Sequence, residues 1–196
     1  MSQKNNSEKR CWPIEADDEL MKEYHDTEWG RPSYDDRYLF ELLILEGAQA
    51  GLSWKTILNK RKNYKKAFAN FEVKKIAKFD EGKIQALMQD AGIVRNLLKI
   101  KSVIRNAKVF MEIQKEFGTF SAYIWVFTNG EVIKRKQGED IPVSTELSDK
   151  ISKDLKKRGM NFVGSTIIYA YLQAIGVVND HLADCVVREP SSTVSK

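Results

Sequence analysis

Cys11, His25, His181 and Cys185 are the whole cysteine and histidine content of this 196-residue chain. They fall as two pairs, C-x13-H near the start and H-x3-C near the finish, with more than three quarters of the sequence between them. Two thiolates and two imidazoles are the donors of a tetrahedral Cys2His2 zinc site. The H-x3-C half carries more of the signal, because residues i and i+4 share a helix face or the outside of a tight turn. On spacing alone, buried core histidines and two ordinary free thiols account for the same residues. If all four bind one ion, the coordination sphere is closed. The metal would then be structural, and a zinc hydrolase, which needs an open position, is excluded.

A second set of residues suits a flat heterocycle. Glu46 follows the apolar run 42–45, where a carboxylate is costly to bury without partners. Tyr24 and Trp29 flank His25, Trp12 follows Cys11, and Trp54 lies eight positions after Glu46. Aromatic rings stack on a nitrogen-rich ring and an acid accepts hydrogen bonds from its edge. Taken singly, each tryptophan reads equally well as core. A third set is Lys156-Lys157-Arg158-Gly159-Met160-Asn161-Phe162-Val163-Gly164-Ser165-Thr166. Two glycines bracket a short turn and a new helix opens at Ser165, whose first amides can bind an anion. This fits a helix-hairpin-helix element gripping a DNA phosphate, and it fits a generic helical corner.

The elements that must position these residues are nearly all helical. Asp17 or Asp18 caps a helix carrying Leu20, Met21 and Tyr24; Asp35 opens an apolar segment that closes at Gly51; Ser53 caps the next, carrying Trp54, Ile57, Leu58, Tyr64 and Phe68. Short helices are predicted over 73–79 and 83–89, then a long amphipathic one from Leu97 to a stop at Gly118. Asn129-Gly130 is a turn, Val132 and Ile133 form at most a short extended piece, and 134–144 reads as a loop. Leu147, Ile151 and Leu155 restart a helix that Gly159 ends. One compact all-helical domain over residues 10–188, divisible into two lobes around a pocket, is expected between flexible tails at 1–9 and 189–196.

Net charge is +5 and the pI near 9.0, with basic clusters at 60–66, 99–108, 134–136 and 156–158. These read either as a phosphate-facing footprint or as solvated helix faces. Two cysteines and a polar start argue against a secreted disulfide scaffold and for the cytoplasm, and no apolar run is long enough to span a bilayer.

Cys11-Trp12, Tyr24-His25-Asp26 through Glu28-Trp29-Gly30, Leu45-Glu46-Gly47 with Gln49-Ala50-Gly51-Leu52-Ser53-Trp54, Asp90-Ala91-Gly92-Ile93-Val94-Arg95-Asn96, Lys156-Lys157-Arg158-Gly159 with Phe162-Val163-Gly164, and Val178-Asn179-Asp180-His181 closing at Cys185 run in one order along the chain. Together they resemble the 3-methyladenine DNA glycosylase I family. The resemblance implies an all-α fold of the helix-hairpin-helix glycosylase superfamily, with the terminal segments joined by one structural Zn2+ on Cys11, His25, His181 and Cys185. It implies that Glu46 and Tyr24 hydrogen-bond the damaged base, that Trp54 stacks on it, and that Trp29 and Trp12 help line the pocket. Members often separate the first cysteine from its tryptophan by one residue; here they adjoin. Gly51 and Leu52 match the segment that enters the duplex, and Gly159, Gly164 and Ser165 match the hairpin on the DNA backbone. The superfamily's catalytic aspartate has no counterpart outside the metal segment, where Asp180 and Asp184 lie. The implied partners are double-stranded DNA carrying alkylated adenine and the released free 3-methyladenine, with a monomer and no membrane. The implied reaction is base excision without strand cleavage. A zinc-stapled, non-catalytic DNA-binding protein is the alternative, and it has no need for Glu46 among aromatic rings.

Overall fold

The computed structural model describes residues 9–135 and 140–187, and these are mostly helical. Helix starts follow their capping side chains. Asp18 accepts the Met21 amide and opens α1 (Glu19–Thr27); Asp35 accepts that of Tyr38 and opens α2 (Asp36–Gln49); Ser53 accepts that of Thr56 and opens α3 (Trp54–Ala67). A 3-10 turn at Ala69–Phe71 leads into α4 (Val73–Ile76) and then α5 (Glu81–Gln89), capped by Asp80. Asn96 caps α6 (Leu97–Phe117), which stops at Gly118 with φ +83°, as the glycine predicts.

α7 (Phe120–Val126) is not foreseen by the sequence reading. Its sequence FSAYIWV is apolar all round and rich in strand formers, so it shows no helical period. Tertiary contacts supply what local propensity lacks. The Asp36 carboxylate, on the first turn of α2, accepts the Phe120 and Ser121 amides at 2.8 Å each, and Thr119 accepts that of Ala122. α8 (Glu146–Lys157) opens with a capping box between Thr145 and Ser148, and α9 (Ser165–Ala174) follows the Gly159 turn. The extended piece is real but minimal: β1 (Ile133–Lys134) pairs in parallel with β2 (Val178–Asn179), a small departure from an all-α fold.

α2 is the central element. Residues 39–48 are all buried, and the helix packs against α3, α6, α7 and α9. A helix apolar on every side must be covered on every side, so any acid it carries is forced out of water. Among the described residues no helix is long and apolar enough to cross a membrane. The expected tails lie outside the described residues except for Lys9. Its carbonyl accepts the Val186 amide at 2.9 Å and its ammonium pairs with Asp184.

Candidate functional site

α2 carries two buried acids with opposite fates. Glu41 accepts from Arg61 Nε at 2.6 Å and lies 3.3 Å from Lys65 Nζ. Arg61 also donates to Glu28 at 2.8 Å, which in turn accepts from the Tyr38 hydroxyl at 2.9 Å. This network pins the end of α1, α2 and α3 together, and the sequence reading passes it over. Glu46 is only 4% exposed and accepts no hydrogen bond from any described residue. Burial alone pushes its carboxyl from the ordinary 4.5 to about 8. A buried, unpartnered carboxylate is the costliest arrangement a core can hold, and it signals a group waiting for a ligand.

Tyr24 lies close enough to Glu46 to feel its charge, and Trp54 packs on Tyr24. Tyr24, buried on α1, has its hydroxyl held well above its usual range, first by burial and then by the Glu46 charge, so it stays a neutral donor. Trp54, the first residue of α3, lies with its ring 5.1 Å from that of Tyr24, and its indole N–H is buried without an acceptor. Three hydrogen-bonding groups with unused capacity therefore gather beside aromatic faces. Gly47 makes room for the turn after α8. A Cβ there would lie 3.2 Å from both the Cβ and the carbonyl oxygen of Phe162, so the turn after α8 packs onto α2 one residue past the acid. That turn has Gly159 at φ +104° and Phe162 at φ +55°. The Ser165 hydroxyl is engaged internally with that of Ser148 at 2.8 Å.

Trp12 and Trp29 lean toward the other cluster. Trp12 meets His25 and Trp29 edge to face, each at 4.7 Å; Trp29 meets His181 edge to face at 4.7 Å and lies parallel to His25. The Trp12 indole N–H is also buried without a partner.

The ligand atoms of Cys11, His25, His181 and Cys185 all lie within 4.8 Å of one another. Cys11 Sγ is 3.2 Å from His181 Nδ1; Cys185 Sγ is 3.4 Å from the same nitrogen and 3.6 Å from His25 Nε2. The edges of a tetrahedron with metal bonds of 2.0–2.3 Å are roughly 3.3–3.8 Å, so the donor set fits a zinc ion in chemistry and these three separations fit it in size, while the widest of the group, up to 4.8 Å, would have to close by about 1 Å. The remote ring nitrogens are already committed. His25 Nδ1 donates to Asp26 at 2.7 Å, itself gripped by the Arg10 guanidinium, and His181 Nε2 donates to the Trp29 carbonyl at 3.0 Å. Both bonds leave the inward nitrogens as acceptors for a metal. Burial lowers both imidazoles, keeping them neutral, and pushes the Cys11 thiol up to about 12. Asp180 is buried and accepts from Tyr169 and Gln173; Asp184 pairs with Lys9. Both aspartates brace the metal segment and are not catalytic candidates.

Several cations of the basic clusters are engaged by other groups of the protein. Besides Arg61, Lys99 donates to the Ala48 and Ala50 carbonyls, Arg105 to Gly159, and Arg158 to Asp154 and Glu116. Lys136 lies outside the described residues. Leu52, by contrast, is 42% exposed after Gly51 at φ +78°.

A helical scaffold with a cluster of four potential metal ligands and an unpartnered acid among aromatic rings has the chemistry to take a flat, hydrogen-bonding heterocycle. The chain belongs to the methyladenine glycosylase family, whose profile matches residues 12–189. It is 45% identical over 178 residues to DNA-3-methyladenine glycosylase 1 of Escherichia coli strain K12, covering 90% of this chain and 95% of that one. A crystal structure of 3-methyladenine DNA glycosylase I superposes with a TM-score of 0.88 at 42% identity, covering 92% of this chain and all of the other. A tyrosine-to-phenylalanine form of 3-methyladenine DNA glycosylase I in complex with 3-methyladenine superposes with a TM-score of 0.86 at 34% identity, covering 89% of this chain and 95% of that one.

Proposed function

We propose that the protein is a DNA-repair glycosylase that hydrolyses the N-glycosidic bond of 3-methyladenine in alkylated DNA, releasing the free base and leaving an abasic site. The observation that carries this reading is Glu46, buried without a partner beside Tyr24 and Trp54. Alkylation at N3 makes the adenine cationic, so the bond to the sugar is already weak. The nucleotide is extruded from the stack, Trp54 covers a face of the ring, and Glu46 and Tyr24 hold its edge. The C1′–N9 bond breaks with its electron pair going to the base, which departs neutral. Water then adds to the oxocarbenium-like sugar and loses a proton. No general acid is needed to protonate the leaving group. Glu46 acts by recognising charge, and no lysine is assigned to attack the sugar, so no strand cleavage is expected. Release of free base from alkylated duplex, measured before and after chelation, tests the assignment. Tight DNA binding with no base release would identify a non-catalytic binding protein instead.

Cys11, His25, His181 and Cys185 would hold one zinc ion, which neutralises two thiolates and clips both ends of a single domain over residues 10–188. The fit of the donor set supports this role. The turn from Gly159 to Ser165 is read as the hairpin that meets the DNA backbone, supported by its left-handed residues and its place against α2. Affinity for DNA is expected to fall steeply with salt, through counterion release, and to depend little on sequence. A flat salt response would remove the phosphate footprint. Leu52, exposed on the turn after α2, is assigned to the duplex. Leu52→Ala is expected to weaken binding to lesion DNA while leaving affinity for free 3-methyladenine unchanged; equal losses in both titrations would place Leu52 in the pocket.

A further inference from the structure

α2 ends at Gln49 directly before the exposed turn, and the last carbonyls of a helix have no partners within it. The Gln49 carbonyl accepts the Leu52 amide. The Ala48 and Ala50 carbonyls both accept from Lys99 Nζ, at 2.8 and 2.7 Å. An ammonium placed there sits on the negative end of the α2 dipole, where a cation is favoured. Lys99 is itself held in the first turn of α6: its amide is capped by Asn96 and its carbonyl accepts the Ser102 hydroxyl at 2.7 Å. Its side chain is half-buried, and burial lowers its ammonium below the usual lysine range.

The turn it grips is exposed at Gly51, Leu52 and Ser53. A Cβ built on Gly51 would meet nothing within 4 Å, so the glycine is required by its φ of +78° and not by crowding. Two backbone carbonyls on one lysine and one amide bond within the turn fix its shape. We propose that Lys99 is a positioning residue that locks the turn of Gly51 and Leu52 in the form that enters duplex DNA. This rests on the assignment of Leu52 to the duplex. A loop fastened before contact loses less freedom on binding than one ordered by the DNA itself. Lys99 does not act on the acid. Its hydrogen bonds go to the carbonyls of Ala48 and Ala50 at the end of α2, and burial is what raises the Glu46 carboxyl. Duplex engagement and base recognition are therefore separable, although the clamp and the acid share α2.

Lys99→Met keeps the aliphatic stem and removes the donor. Against a duplex bearing a stable abasic-site analogue, the variant is expected to bind about tenfold more weakly, the scale of a hydrogen-bonded charge. KM for alkylated duplex should rise in step, with affinity for free 3-methyladenine within about twofold of wild type. Lys99→Arg, which can reach the same carbonyls with two N–H groups, should recover most of the loss. Leu52→Ala is measured in parallel. If Leu52→Ala weakens duplex binding and Lys99→Met does not, the clamp is wrong and the Leu52 assignment stands. If Leu52→Ala has no effect on the duplex, the assignment itself fails. If Lys99→Met weakens free base as much as duplex, Lys99 supports the fold generally and the proposal is overturned. Should Lys99→Met fail to fold, Lys99→Gln is read by the same criteria.

Discussion

Cys185→Ala is expected to lower the unfolding free energy by roughly 3–5 kcal/mol, the range that loss of a structural metal produces. For a chain of this length that is a fall in melting temperature of about 10 °C. The cause is topological. The four candidate ligands come from α1, the segment before it and the segment after β2, so an ion bound there would join segments far apart in sequence and add to contacts such as Val186 with Lys9 and His181 with Trp29. Protein purified without added zinc should contain one ion per chain. Chelation should bring the wild type down to the melting temperature of the variant while leaving the variant where it is. Wild-type stability in metal-free Cys185→Ala would end the staple reading. Because Tyr24 and His25 are consecutive on α1, the metal-free protein should also bind 3-methyladenine less well.

Glu46→Gln is the second large effect. The amide keeps the size and part of the hydrogen bonding but loses the negative charge, so affinity for free 3-methyladenine should drop by roughly 1–3 kcal/mol. Excision should fall with it while binding to undamaged DNA is retained. Trp54→Ala should cost a similar amount through lost stacking. Unchanged affinity in Glu46→Gln would mean the pocket lies elsewhere. The pH dependence follows from the same carboxyl. With its pKa at about 8 in the free protein, Glu46 is largely protonated at neutral pH, and a cationic base would draw it into the ionised form with release of a proton. The kcat/KM for excision, which reports the free enzyme, should therefore rise with pH through a midpoint near 8 in the wild type and lose that limb in Glu46→Gln. Stability runs the other way. The folded state keeps this proton longer than the unfolded chain, so this residue's contribution is fully favourable below 4.5 and declines as pH rises to about 8. The stability of wild type relative to Glu46→Gln should fall across that window; a parallel pH response of the two proteins would contradict a buried, unpartnered acid.

The fate of α2 shows what kind of information each level holds. Its start at Asp35, the start of α1 at Asp18, that of α3 at Ser53 and the stop of α6 at Gly118 are legible in the sequence, because capping joins a side chain to an amide three residues away and a left-handed stop concerns one residue. The candidate metal ligands stand out for another reason: no other histidine or cysteine competes for the role. Glu46 stands out by following an apolar run. Glu41, five residues earlier in that run, carries the same chemical signal, and only the folded chain separates them by bringing Arg61 and Lys65 to one and nothing to the other. α7 likewise exists where Asp36 reaches across 84 residues to cap it. The basic clusters divide in the same way, with Arg61 paired to the buried Glu41, Lys99 and Arg105 to backbone carbonyls, and Arg158 to Asp154 and Glu116 nearer the surface. Residue type and spacing set which groups can ionise, ligate or cap a neighbour. Whether a charge is satisfied, free or waiting for a ligand depends on partners distant in sequence, and in a low-dielectric core those partners decide its energy.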